Sequence, residues 1–203
     1  MWNYDLATEV LWEIGFTPTS YGGALGQVFL NFTTDYYYYY PDYVPAQWVL
    51  DLYSSGDLRY NSYFATLTTG HTHGLTWPLL VKYYGNQQNF IPNMIYHVNM
   101  PKPFRLAEQY LIRAEALCRK ESPDFANASK DISALRQTRL ASGGSLSLTA
   151  DNYIEQLADE RVRELYMEGH RLQDIKRWGK LYRGGEGFTR TPQNNTLSEG
   201  SSL

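Results

Sequence analysis

Four charged residues in the last third of the chain sit where chemistry could be done. Arg161, Glu164, Glu168 and Arg171 follow one another at spacings of three and four, the spacing of side chains stacked on one side of a helix. At 100° per residue, Ile154, Ala158, Leu165, Leu172 and Ile175 form one apolar stripe. Arg161 and Glu168 fall inside that stripe, whereas Glu160, Arg163, Asp174 and Arg177 fall outside it. Charge on a buried face persists only when paired and hydrogen-bonded. The spacing offers Arg161 to Glu164 and Glu168 to Arg171 as i,i+3 pairs, with Glu108 and Glu115 of an earlier helix as further partners. Two carboxylates one turn apart could instead suggest glycoside hydrolysis, which needs a pair across a cleft with one pKa raised. An arginine three residues from each carboxylate lowers its pKa, and one face of a packed helix makes no sugar cleft. The pattern predicts a structural ion-pair network and no catalytic residues.

Other candidates are weaker. His71 and His73, with His97 far along the chain, lack cysteine or acidic partners at ligand spacing, so a solvated loop is expected and no metal site. No phosphate-binding glycine loop, nucleophile elbow or Cys–His pair occurs, and nothing calls for a cofactor. The aromatic content is different. The chain has 18 Tyr and 5 Trp, concentrated before residue 100. A tyrosine or tryptophan ring has an apolar face and a polar edge, which suits ligands of mixed character, sugars and protein surfaces among them. In the run from Tyr36 to Tyr40, extended backbone would turn alternate rings to opposite sides. Tyr21, before Gly22-Gly23, Tyr38, within the run, and Trp77, before Pro78, are the candidate ligand-binding rings. Packing of an irregular region poor in aliphatics is the competing account of them.

These residues need elements to hold them. The pattern changes near Pro101-Lys102-Pro103. Residues 1–101 read as loop-rich, with short strands at 9–16 and 27–32 and a helix at 45–54. Segments 60–68 and 75–84 could pair as a hairpin. Residues 102–183 read as helical. Leu106, Tyr110, Ala114 and Leu117 line a face of the first helix, Ser122-Pro123 starts a second that ends before Gly143-Gly144, and Asp151 opens the charged helix. Gly169 marks a kink or a close crossing. Ala128, Ile132 and Leu135, with Ala116 twelve residues before Ala128, match the spacing of a tetratricopeptide hairpin. Residues 184–203 form an irregular tail. The fold class is mainly α: a tetratricopeptide-like hairpin and a charged helix behind a loop-rich region of short strands and helices. One hairpin and one helix leave an apolar side for another segment or chain.

Composition narrows the partners. At 203 residues the chain can bury one good core. A net charge of −3 argues against nucleic acid, which needs a concentrated basic patch. The lone Cys118 forms no internal disulfide and sits at an apolar helix position, as a buried, inert thiol would. No apolar run approaches the ~20 residues of a membrane span.

Three segments carry a resemblance. Glu160-Arg161-x-Arg163-Glu164-Leu165-x-x-Glu168-Gly169-x-Arg171-x-x-Asp174-Ile175-x-Arg177-Trp178-Gly179 resembles the C-terminal signature of the SusD/RagB family. Arg105-Leu106-Ala107-Glu108 through Ala116, followed by Asp131-Ile132 through Arg139, resembles the helical hairpin before that signature. Glu9-Val10-Leu11-Trp12-Glu13-Ile14, Ser20-Tyr21-Gly22-Gly23, and Asp51-Leu52-Tyr53 to Asp57-Leu58-Arg59-Tyr60 resemble its middle region. The resemblance covers the C-terminal portion of the family and departs from it in the missing Pro-rich ending. It implies non-enzymatic binding of oligosaccharides or other glycan nutrients at the cell surface, for delivery to a TonB-dependent outer-membrane transporter. It also implies anchoring to the outer membrane by an N-terminal lipid that this chain does not contain. The signature helix is then scaffold, and the ligand site draws on aromatic loops of the middle region. The reading from another class is a tetratricopeptide-like module that binds protein and has no ligand site of its own.

Overall fold

A computed structural model describes residues 1–2, 7–17, 19–20, 22–33, 38–67, 77–86 and 97–182. Its elements in chain order are β1 (Val10–Trp12), α1 (Gln27–Leu30), β2 (Phe32–Thr33), β3 (Tyr38–Tyr39), α2 (Gln47–Leu50) and α3 (Leu58–Tyr63). They are followed by β4 (Phe64–Leu67), β5 (Trp77–Leu80), β6 (Phe104–Arg105), α4 (Leu106–Arg119), α5 (Phe125–Gln137), α6 (Tyr153–Leu165) and α7 (Arg171–Trp178). The fold is mainly helical, and among the described residues the strands pair as three two-stranded ribbons, β1–β6, β2–β3 and β4–β5. The chain divides into two compact units. One comprises Met1–Ala46 and Tyr60–Arg105, the other Gln47–Arg59 and Leu106–Leu203.

The first unit is built from ribbons and rings. The expected hairpin is present as β4–β5, antiparallel with Leu67 opposite Trp77, although residues 60–63 belong to a helix. The expected strand at 9–16 shortens to β1. The segment 27–32 is not a strand: residues 27–30 form one helical turn, closed by Asn31 in the left-handed region at φ 39°. Gly26 explains the difference. A Cβ there would lie 2.0 Å from the Tyr83 carbonyl oxygen, so the chain passes close beneath Tyr83 and turns at once. Phe29, Leu30, Tyr63, Phe64, Leu79, Leu80, Tyr83 and Val98 are buried. Lys82, fully buried, places its ammonium 4.4 Å from the Trp2 ring centre and 4.3 Å from that of Tyr63, where the negative ring faces offset lost hydration.

The second unit is a helical assembly. α4 and α5 pack as a hairpin around Ala107, Leu111, Ala114, Cys118, Ala128, Ile132 and Leu135, and Leu157 and Leu165 of α6 complete that core. Asp124, two residues later than the predicted start, caps α5 by accepting from the Asn127 N–H at 3.0 Å. The buried face of α4 also differs from expectation. Leu106 is 43% exposed and Ala116 lies at the surface, while Ala107, Leu111, Ala114 and Cys118 turn inward. The inward set repeats at four, three and four residues, a helical stripe equal in quality to the predicted one. Periodicity alone could not choose between them.

The charged segment is not one helix. α6 ends at Leu165, Met167 and Gly169 take left-handed conformations at φ 58° and 89°, and α7 starts at Arg171. Positions after the break leave the predicted stripe, which is why Leu172 is 59% exposed. The stripe also fails before the break. Glu160, placed outside it, is fully buried, as are Ile154, Leu157, Ala158, Arg161, Val162, Glu164 and Leu165. α6 shows water only a half-buried polar strip of Glu155, Gln156, Asp159 and Arg163, and Glu160 lies on its enclosed side.

Candidate functional site

Buried charge on α6 is held by arginines from other elements. Glu160 and Glu164 lie one turn apart with wholly inaccessible side chains. The Arg59 Nη1 donates to Glu160 at 2.7 Å and to Glu164 at 3.1 Å. Arg59 is gripped from behind by Asp57, at 2.9 Å through Nε and 2.7 Å through Nη2, a bidentate pair. Arg136 reaches Glu160 at 3.0 Å, Arg163 reaches it at 2.7 and 3.1 Å, and Arg139 makes two 3.0 Å bonds to Glu164. The backbone fixes these positions, since Leu58 N–H donates to the Arg139 carbonyl and Ala141 N–H to that of Gly56.

Burial by itself pushes the Glu160 carboxyl upward, but the Arg59 and Arg163 guanidiniums hold it below the usual range. Burial likewise disfavours the charged Arg59, and its Asp57 hydrogen bonds with the Glu160 and Glu164 charges reverse that, leaving it more basic than a free arginine. Both partners therefore stay ionised. A carboxylate that is sealed from solvent and stripped of a titratable proton cannot serve as a general acid.

A second cluster ties α7 to α6 and α4. Arg161 donates to Asp174 at 2.7 Å, and Asp174 accepts from Arg177 at 2.8 Å. Glu115 accepts from Arg177, from Arg119 at 2.9 Å and from the Trp178 indole at 3.2 Å. Arg171 lies between rings, 5.5 Å from the Trp48 centre and 5.0 Å from that of Tyr182. Arg161 thus takes its partner, Asp174, from α7, and Glu164 takes Arg59 from the first turn of α3 and Arg139 from just past α5, whereas the i,i+3 reading looked for them on α6 itself. The helix break and the burial of Arg161 and Glu164 against other elements account for the difference. Glu115 was expected to join Arg161 or Arg171 and instead takes Arg177 and Arg119; Asp57, Arg59, Arg136 and Arg139 were not anticipated. Their one trace in the sequence is that they belong to the segments that resemble the family.

The candidate ligand rings are less completely placed. Tyr21 lies outside the described residues, as do His71 and His73. The Tyr38 backbone pairs with Thr33 in β3, and that of Trp77 with Leu67 in β5; neither side chain is among those described. His97 is buried at φ 61°, its Nδ1 is 3.1 Å from the Tyr84 carbonyl, and burial lowers its pKa. Among the described residues no three His, Cys, Asp or Glu side chains gather as metal ligands, and no helix is long and apolar enough to cross a membrane. Among the described residues of the first unit the exposed rings are Tyr40 at 61%, Tyr43 at 58%, Trp12 at 52% and Phe104 at 52%. Tyr40 belongs to the tyrosine run; the exposure of the other three had no signature in the sequence.

Comparison with known proteins agrees with this architecture. A family model described as "SusD family" matches residues 26–201. The starch-binding protein SusD of Bacteroides thetaiotaomicron is 34% identical over 115 residues, which cover 55% of this chain and 18% of that protein. A SusD superfamily protein from the same species superposes with a TM-score of 0.66 at 23% identity, over 88% of this chain and 39% of the other. A SusD-like carbohydrate binding protein from Bacteroides vulgatus gives 0.61 at 24% identity, over 86% and 35%. The chain therefore spans well under half the length of these relatives, and the two solved structures share its fold.

Proposed function

We propose a function that starts from one premise: this chain belongs to the SusD family. It binds glycans, without cleaving them, at the surface of the outer membrane, and passes oligosaccharides to a TonB-dependent transporter. The protein is held there by a lipid anchor. The observation that carries this reading is the division of labour between the units. Glu160 and Glu164 of the second unit are sealed in ion pairs, while Trp12, Tyr40, Tyr43 and Phe104 of the first unit face solvent. Rings present flat apolar faces to sugar C–H groups, and each stack contributes on the order of 1 kcal/mol, so affinity is modest. Tyr21, Tyr38 and Trp77 are the proposed ligand contacts, and the relatives named for carbohydrate and starch binding support that ligand class.

A glycan array tests this directly. Binding to at least one polysaccharide class with no release of reducing sugar is expected; reducing sugar from a bound glycan would make the protein a hydrolase. One observation favours a protein partner as well. Leu106, Gln109, Tyr110, Ile112 and Arg113 line a groove of about 310 Å³ on the outer side of α4, with Leu106 and Ile112 43% and 47% exposed. If no glycan binds but an outer-membrane barrel protein co-purifies, the interaction-module reading replaces the first.

A further inference from the structure

We propose that Trp12 and Phe104 form a second stacking platform for two neighbouring sugar rings of a glycan chain, outside the rings named above. The inference rests on the glycan-binding reading and extends it to a defined pair of side chains. Trp12 stands opposite Phe104 in the β1–β6 ribbon, and their rings lie 5.8 Å apart at 34° to one another. Two other ring pairs among the described residues of this unit lie in the core. Phe29 and Tyr83, 5.5 Å apart, are 7% and 4% exposed, and Tyr63 and Phe64 are 4% and 3% exposed. Trp12 and Phe104 make the same kind of contact with half of each ring in water. Together they offer an exposed apolar patch that carries an indole N–H. That surface suits a neutral, hydroxylated ring with apolar C–H faces.

The ribbon is also rigid. Arg105, next to Phe104 and almost fully buried, bonds Glu9 at 2.8 Å. Lys102 bonds the Met100 carbonyl at 3.0 Å and lies 3.6 Å from Glu13, next to Trp12. Ile14 N–H donates to the Pro101 carbonyl at 2.9 Å, extending the pairing past both rings. Rings fixed before the ligand arrives lose little entropy on binding, so weak stacking is converted to affinity with small loss.

Affinity gel electrophoresis of the 203-residue chain in gels cast with starch, pullulan, xyloglucan or inulin tests the proposal. The Trp12→Ala/Phe104→Ala chain should be retarded about tenfold less in the polysaccharide that holds the wild type, while Trp12→Tyr/Phe104→Tyr, which keeps both rings, should be retarded nearly as much as the wild type. Equal retardation of wild type and alanine variant overturns the platform but leaves the glycan reading intact. Absence of retardation of the wild type in every gel sinks that reading and the platform with it. Should the alanine variant not fold, N-bromosuccinimide oxidation of the wild type, mapped by peptide mass, supplies the answer. The retaining polysaccharide should protect Trp12, and unchanged oxidation of Trp12 would refute its contact with sugar.

Discussion

Substituting Glu160 by Ala should be among the most damaging changes that a single side chain of this protein can undergo. The carboxylate is wholly inaccessible and accepts four hydrogen bonds, at 2.7 to 3.1 Å, from Arg59, Arg136 and Arg163. Without it, Arg59 keeps Asp57 and Glu164, Arg163 keeps the Leu52 carbonyl, and Arg136, with a fifth of its side chain exposed, can turn to water. Four guanidiniums would then share two carboxylates where they had shared three. Removing one partner of a buried pair costs about 3–5 kcal/mol because the other charge stays desolvated. For a chain of this size each kcal/mol lowers Tm by roughly 2–4 °C. The expected drop is therefore about 6–20 °C, read from far-ultraviolet circular dichroism melts at pH 7. Arg113→Ala is the control, since it removes a salt bridge of similar geometry, 2.7 Å from Nε to Asp131, whose arginine is 65% exposed. Its melt should move much less, because solvent already screens the arginine, although Asp131 has only 10% of its side chain exposed. A Glu160→Ala drop under about 2 °C, or one matching that of Arg113→Ala, would refute the reasoning that burial gives this network its weight.

Acid should erase the Glu160 effect. Its carboxyl pKa is lowered in the folded protein from an unfolded value of 4.5, so the stability it adds is present above pH 4.5 and is lost as pH falls through the folded value. Melts of wild type and Glu160→Gln should converge below pH 4.5, and a constant gap would contradict the linkage. Cys118 is buried, and burial pushes its thiol up to about 11. Iodoacetamide at pH 8 should therefore leave it unmodified for hours in the native protein and label it within minutes in guanidinium. Gly144 sits at φ 103°, and a Cβ there would lie 2.8 Å from the Gln137 nitrogen. Gly144→Ala should cost about 1–3 kcal/mol in a urea titration, and a neutral result would show that the turn after α5 can relax.

The helical half was legible because its signal is local. α4, α5 and α6 lie within a few residues of where periodicity and capping put them, and Cys118 faces inward as its neighbours required. Two things were not legible. One is rotation about a helix axis: two stripes on α4 are equally apolar, and only packing against α5 and α6 selects Leu111 over Tyr110. The other is long-range pairing. Arg59 lies 101 residues before Glu160, and nothing in the intervening composition announces the contact. The i,i+3 rule therefore supplied nearby partners for charges whose real partners come from three other segments. The rings fared similarly. Composition pointed to a surface rich in tyrosine and tryptophan, but exposure depends on which ribbon a ring belongs to. Trp12 is open at the β1 surface, while the Tyr83 ring is closed because it packs against Trp2 and Phe29.

The central claim is that ligand recognition and structural charge reside in different units of the chain. Isothermal titration calorimetry with the best glycan from the array, run beside thermal melts, tests it on two variants. The triple variant Tyr21→Ala/Tyr38→Ala/Trp77→Ala should bind at least about tenfold more weakly and melt within about 2 °C of the wild type. Glu160→Ala, titrated well below its lowered Tm, should bind as the wild type does. Undiminished binding by the triple variant, or loss of binding in folded Glu160→Ala, would contradict the account.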